Sequence, residues 1–147
     1  MKSKYLFVIA ITSLLNACAY GPTAHAIKSQ CRLEMQAART AVQLRDQGKS
    51  KQAMLQTLPP LHPDSTRLLR QMYQIVDETY AFPALNDIVY GIYRFESCAR
   101  QLQHRLTPPR LQQVAPQLLA CQKQYGRQVS KAAVACVRGV FPKNTIN

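Results

Sequence analysis

Apolar residues along this chain recur at steps of three and four, and no stretch alternates apolar and polar residues long enough to argue for a strand. Cys31, Met35, Ala38 and Val42 lie on one helical face, with Ser29 placed to cap the helix and Gly48 to close it. Ser50 begins a short second helix that runs to about Leu58, where Pro59-Pro60 stops it. A third helix starts at Asp64 or Ser65 and buries Leu68, Met72, Ile75, Val76 and Thr79. Pro83 ends that helix and suits the first turn of the next. Leu85, Ile88, Val89, Ile92, Phe95, Ala99 and Leu102 form the longest apolar stripe, so the fourth helix is expected at the centre of the core. After Thr107-Pro108-Pro109, a helix beginning near Pro116 runs to about Tyr125. Gly126 then permits a turn, and Ser130 caps a last helix ending near Gly139. The pattern predicts an all-α protein, a small bundle of about five or six short helices. Helices this short are marginal alone, so packing and cross-links must hold them.

The first residues read differently. Lys2 and Lys4 precede an apolar run from Tyr5 to Leu15, and small residues follow, as in an export signal. A spanning helix needs about 20 apolar residues, roughly twice this run, so the processed protein is expected to be soluble apart from any lipid. Leu15-Asn16-Ala17-Cys18 resembles the lipobox of bacterial lipoproteins, with Asn16 an unusual occupant, while Ala24-His25-Ala26 offers an ordinary cleavage site. The first reading is preferred, because a cysteine directly after the apolar run is a rarer event than small residues there. It makes 1–17 the signal, Cys18 the lipidated residue, 18–27 a tether and 28–147 one helical domain. The resemblance also implies the outer membrane, facing the periplasm, because Ala19 is not acidic. The alternative is cleavage after Ala26 and a soluble periplasmic or secreted protein.

Four cysteines remain after Cys18, and an even number in an exported chain argues for two disulfides. A hairpin turning between Gly126 and Ser130 sets Cys121 opposite Cys136, whereas one continuous helix would hold them about 22 Å apart. Antiparallel packing of the first and fourth helices brings Cys31 to Cys98. The rival joins Cys98 to Cys121 across the Pro108-Pro109 break and leaves Cys31 with Cys136. Cys31–Cys98 with Cys121–Cys136 is preferred, and the rival stays open.

Without residues 1–17 the chain carries 17 Lys and Arg against 7 Asp and Glu. All 7 acids lie in 27–96, so 97–147, with 8 basic residues, has none. Lys123, Arg127, Lys131 and Arg138, spaced at four, four and seven, could share one helix face as an anion-binding surface for headgroups, envelope polymers or an acidic protein. The simpler account is a solvated basic face. Export disfavours nucleic acid.

Two stretches carry a wider resemblance. Arg45-Asp46-Gln47-Gly48-Lys49-Ser50 and Val76-Asp77-Glu78-Thr79-Tyr80-Ala81-Phe82-Pro83 resemble those of small exported helical proteins of proteobacteria. Those share a helix ending in Arg-x-x-Gly-x-Ser and a later Tyr-x-x-Pro. The similarity covers roughly 28–100, and 101–147 departs from it. Cys31 and Cys98 match the group's cysteine placement, which implies their pairing. The group implies architecture and compartment, not an activity. Physically, Arg45 can offset the negative end of its own helix, and Tyr80 and Pro83 can shape a corner.

Catalytic patterns are not found. His25, His62 and His104 are far apart, and Cys-x-x-Cys and His-x-x-x-His do not occur, so neither a metal nor a cofactor is expected. The five glycines are isolated, which disfavours a phosphate loop. Asp77-Glu78 read as solvated charges and Glu96–Arg100 as a surface ion pair. Tyr73, Tyr80, Phe82, Tyr90, Tyr93 and Phe95 read as core aromatics whose phenol oxygens reach the surface. The expectation is a non-enzymatic exported envelope lipoprotein that binds a protein partner and meets the membrane through its lipid. The alternatives are a soluble immunity-type inhibitor of a toxin and a basic module binding anionic envelope polymers.

Overall fold

In the computed structural model, which describes residues 23–104 and 106–142, six α-helices and no strand occur among the described residues. They are α1 (Ala24–Asp46), α2 (Lys51–Leu55), α3 (Arg67–Ala81), α4 (Asp87–His104), α5 (Leu111–Tyr125) and α6 (Lys131–Gly139). The chain is thus a small disulfide-linked helical bundle. None of these helices is long and apolar enough to cross a membrane. Residues 1–22, including Cys18 and the signal, lie outside the described part.

Cap chemistry and packing set the boundaries, and several differ from the sequence reading. Thr23, not Ser29, caps α1: its Oγ1 accepts from the Ala26 N–H at 3.3 Å. The reason is packing. Ile27 is buried against Cys31 and Cys98, and burying it requires one more helical turn upstream. Residues 24–27, read as tether, are therefore helical. Thr66 caps α3 through the Leu69 N–H, while Ser65 is already used, accepting from the His62 N–H at 2.8 Å in the preceding turn. Pro83 lies in the α3–α4 corner and not in a helix, because Asn86 is the better start: its Oδ1 accepts from the Val89 N–H at 2.9 Å. Likewise α5 begins five residues before Pro116. Leu111, Val114, Ala115 and Leu118 are all buried on its inner face, and that outweighs the one backbone bond the proline removes. Ser50 and Ser130 cap α2 and α6 as expected, although α2 ends at Leu55.

α4 is the axis of the bundle. Buried side chains occupy most of its circumference, with Ile88, Val89, Tyr90, Ile92 and Tyr93 in the main core. α1 packs antiparallel beside it, closely enough at Gly91 that a Cβ there would come within 2.7 Å of Arg39 Cγ. α3 folds back on α4 through the short 82–86 corner. α5 and α6 form a hairpin that closes the core with Leu111, Val114, Leu118, Val137 and Phe141. Gly126, at φ 63°, turns it.

The preferred pairing is the one present. Cys31–Cys98 joins α1 to α4 with Cα atoms 5.4 Å apart, and Cys121–Cys136 joins the hairpin with Cα atoms 5.8 Å apart. The bridges close segments of 67 and 15 residues. In a chain-entropy account these are worth about 4 and about 3 kcal/mol.

Candidate functional site

The two sequence motifs and part of the basic tail meet at one end of the bundle. Arg45, Asp46, Pro83, Asn86, Lys123 and Arg127 line a cleft of about 390 Å³ there. Arg45 organises it, but not by closing its own helix as expected. Its guanidinium donates to the carbonyls of Thr79 at 2.9 Å and Leu85 at 3.1 Å, so it secures the last turn of α3 and the corner that follows. It also holds the Asp46 carboxylate at 2.7 Å. Hydrogen bonding from Arg45 lowers the Asp46 pKa below the usual carboxylate value, and Arg127, 3.2 Å away, adds to this. The Tyr80 hydroxyl donates to the Lys49 carbonyl, which ties the Tyr-x-x-Pro corner to the Gly48 turn. Gln122 reaches in from α5, accepting from the Asn86 N–H at 2.7 Å and donating to the Ala84 carbonyl at 2.9 Å.

The four basic residues do not share one helix face, because the hairpin turns between them. Lys123 is in the last turn of α5, Arg127 in the loop, and Lys131 starts α6. Arg138, in the last turn of α6, donates to Glu96 Oε1 at 2.7 Å beside a different depression. The structure brings together Lys123 and Arg127 only. These two and Arg45 stand near the ends of α1, α3 and α5, where unpaired carbonyls make the field negative. Arg45 is engaged at the end of α3 and with Asp46, and Arg127 with Asp46.

The sequence reading missed a polar cluster inside the bundle. Glu34 is 1 % exposed, and its two oxygens are held by Arg67 at 2.6 Å and by the buried Arg94 at 3.2 Å. Arg94 also reaches Glu78 at 3.3 Å and donates to Gln71, and Arg67 donates to Gln101 at 2.7 Å. The Tyr90 hydroxyl donates to Glu78 Oε2 at 2.7 Å. Burial, reinforced by the Glu78 charge, pushes the Tyr90 phenol well above its ordinary pKa. Tyr93 rises to about 12, chiefly through burial. Every charge in the cluster faces an opposite one, so the arrangement holds α1, α3 and α4 in register. A signal existed: Glu34 follows Cys31 by three and precedes Ala38 by four, which puts it on the buried stripe.

Three further readings are corrected. Glu78 belongs to this cluster, and only Asp77 is a solvated charge, 2.9 Å from Lys51. Glu96 is buried and pairs with Arg138; Arg100 instead lies over the Phe141 ring, 4.7 Å from its centroid, and donates to the Pro142 carbonyl. The phenol oxygens of Tyr73 and Tyr80 lie at the surface as expected, donating to the Pro59 and Lys49 carbonyls. Those of the buried Tyr90 and Tyr93 are instead enclosed and donate to Glu78 and the Pro109 carbonyl, because a desolvated hydroxyl needs a partner.

Among the described residues, no group of three or more His, Cys, Asp and Glu side chains is placed to hold a metal. His25 and His62 are exposed on separate elements. A second open depression, about 350 Å³ and mainly apolar, runs between α1, α2 and α3, with Leu33, Ala37, Leu44, Met54, Leu58 and Met72 among its walls. The fold and its surface define a small, basic, disulfide-linked helical bundle with open grooves. No known protein family, curated protein or solved structure matches the chain.

Proposed function

We propose that this is an exported cell-envelope lipoprotein, anchored through Cys18 in the outer membrane and facing the periplasm, which acts by binding another macromolecule and not by catalysis. The cysteine arrangement carries the reading. All four cysteines of the described part are closed into two disulfides of ordinary geometry, which suits an oxidising compartment and leaves Cys18 without a partner among them. The resemblance of 28–100 to small exported proteobacterial proteins supports the same compartment. The apolar depression between α1 and α3, with Leu33 at its rim 48 % exposed, supports a protein partner. The Thr23 cap supports processing at Cys18 over cleavage after Ala26, which would remove the cap and the first turn of α1.

Mass spectrometry of the mature protein tests the anchor. A chain beginning at Cys18 with a diacylglyceryl group is expected; a chain beginning at Ile27 overturns the reading. Blocking the lipoprotein signal peptidase should make the unprocessed precursor accumulate.

A further inference from the structure

We propose that the start of α1 is a membrane-contact face that lays this end of the bundle on anionic phospholipid headgroups. The inference rests on the lipid-anchor reading for its geometry, but its chemistry stands on exposed residues. His25, Lys28, Ser29 and Arg32 are spaced at i, i+3, i+4 and i+7, so they share one side of the helix, and all four are exposed. The opposite side of the same turns holds Ile27, Cys31 and Glu34, buried against the rest of the bundle. No acid lies in the first turn of α1, and its first acid, Glu34, is enclosed by Arg67 and Arg94. Lys28 and Arg32 form no ion pair among the described residues, whereas Lys51, Arg127 and Arg138 each meet a carboxylate.

The neighbouring surface has the same character. The Cys31–Cys98 bridge fixes the second half of α4 against the opposite, buried side of these turns. Glu96 there is buried and paired with Arg138, and no acid follows it in the sequence. The exposed acids of α1 and α3, Asp46 and Asp77, lie toward the other end of the bundle, as does Asp87 at the start of α4; Asp64, exposed three residues before the start of α3, is the acid toward this end. Leu33 adjoins Arg32 and follows Ser29 by one helical turn, and it is 48 % exposed. Two cations with an exposed leucine beside them fit the headgroup boundary. The leucine can enter the acyl edge while the long cationic side chains stay at the phosphates.

The tether length makes the contact available. Cys18 stands five residues before Thr23. Five extended residues span about 17 Å, and Arg32 lies about 12 Å further along α1. Electrostatic attraction fades over about 8 Å in physiological salt. A chain held this close can settle the face onto the surface, and once it does, both cations lie within that range.

The test uses the whole processed chain with Cys18→Ser, so that no acyl chain contributes, and with both disulfides intact. Binding is measured by co-sedimentation with vesicles of phosphatidylethanolamine and phosphatidylglycerol, and with vesicles of phosphatidylcholine alone. Binding to the anionic vesicles only is expected, weakening as salt rises. Lys28→Glu with Arg32→Glu should lower it by about twentyfold or more. Lys123→Glu with Lys131→Glu makes the same charge change at the other end and should cost only a few-fold. All four side chains are exposed, so circular dichroism should show intact helices in both variants. No binding to anionic vesicles, or equal loss in the two double variants, overturns the proposal. The acyl mass on Cys18 is read separately. An unmodified Cys18 with intact vesicle binding overturns the anchor and leaves the face standing; an acylated Cys18 with indifferent variants does the reverse.

Discussion

The α1–α3–α4 assembly and the α5–α6 hairpin are built on different principles. The first is joined by partners far apart in sequence: Glu34 with Arg94, Arg45 with the α3–α4 corner, and Cys31 with Cys98. The hairpin is local. A positive-φ glycine turns it, a cap at Ser130 restarts the chain, and a bridge across a separation of 15 residues closes it. Its inner face is mainly apolar, and it meets the larger assembly through Leu118, Val137 and Phe141 and through the Gln122 and Asn86 hydrogen bonds. The long-range assembly achieves a specific register at the cost of burying charge. The hairpin could drift on its apolar face, and polar contacts at its turn and at the end of α6, where Arg138 meets Glu96, set its position.

Substitutions should separate the two. The largest effect is expected from Arg94→Met, which leaves Glu34 and Glu78 short of a partner in the core. A loss of about 3–5 kcal/mol is expected from urea unfolding, with all helices affected together. Cys31→Ser with Cys98→Ser should cost about 4 kcal/mol, and Cys121→Ser with Cys136→Ser about 3 kcal/mol, in the same measurement. The comparison sharpens if hydrogen exchange is followed as well. Opening the hairpin bridge should speed exchange in α5 and α6 and leave α1 and α4 protected. If exchange rises uniformly, the hairpin is no separate unit.

Asn86→Ala acts where the regions join. It removes the cap of α4 and the 3.1 Å bond to the Gly126 carbonyl, and should cost about 1 kcal/mol in thermal unfolding. The smallest effect concerns Asp46, whose folded pKa lies below its ordinary value. Its contribution is complete above the unfolded pKa of about 3.9 and is lost as pH falls through the lower folded value. Asp46→Asn should therefore remove a small part of the acid limb of the stability curve. Its difference from the native protein should be widest at neutral pH and vanish below that limb. The carboxylate is partly exposed, so solvent screening keeps the effect small.

Much of this architecture was legible where the determinants are local. The α4 stripe, the caps at Ser50 and Ser130, the turns at Gly48 and Gly126, and the preferred cysteine pairing follow from spacing and backbone chemistry. Boundaries failed where a nearby competitor was better. Asn86 outdid Pro83, Thr66 outdid Ser65, and the inner face of α5 carried a helix past Pro116. The polar cluster failed for another reason. Residue type marks Glu34 and Arg94 as surface residues even though spacing puts Glu34 on the buried stripe, and only their meeting across 60 positions makes either one comfortable inside. The basic spacing of Lys123, Arg127, Lys131 and Arg138 misled in the opposite sense, because a regular interval is a shared face only along an unbroken helix.

The central claim is a chain whose four domain cysteines close two separate units while Cys18 stays outside them. Peptide mapping of the mature protein without reduction tests it most directly. The account predicts one linked peptide pair containing Cys31 and Cys98, a second containing Cys121 and Cys136, and Cys18 in neither. Peptides joining Cys98 to Cys121, or any disulfide to Cys18, would contradict it.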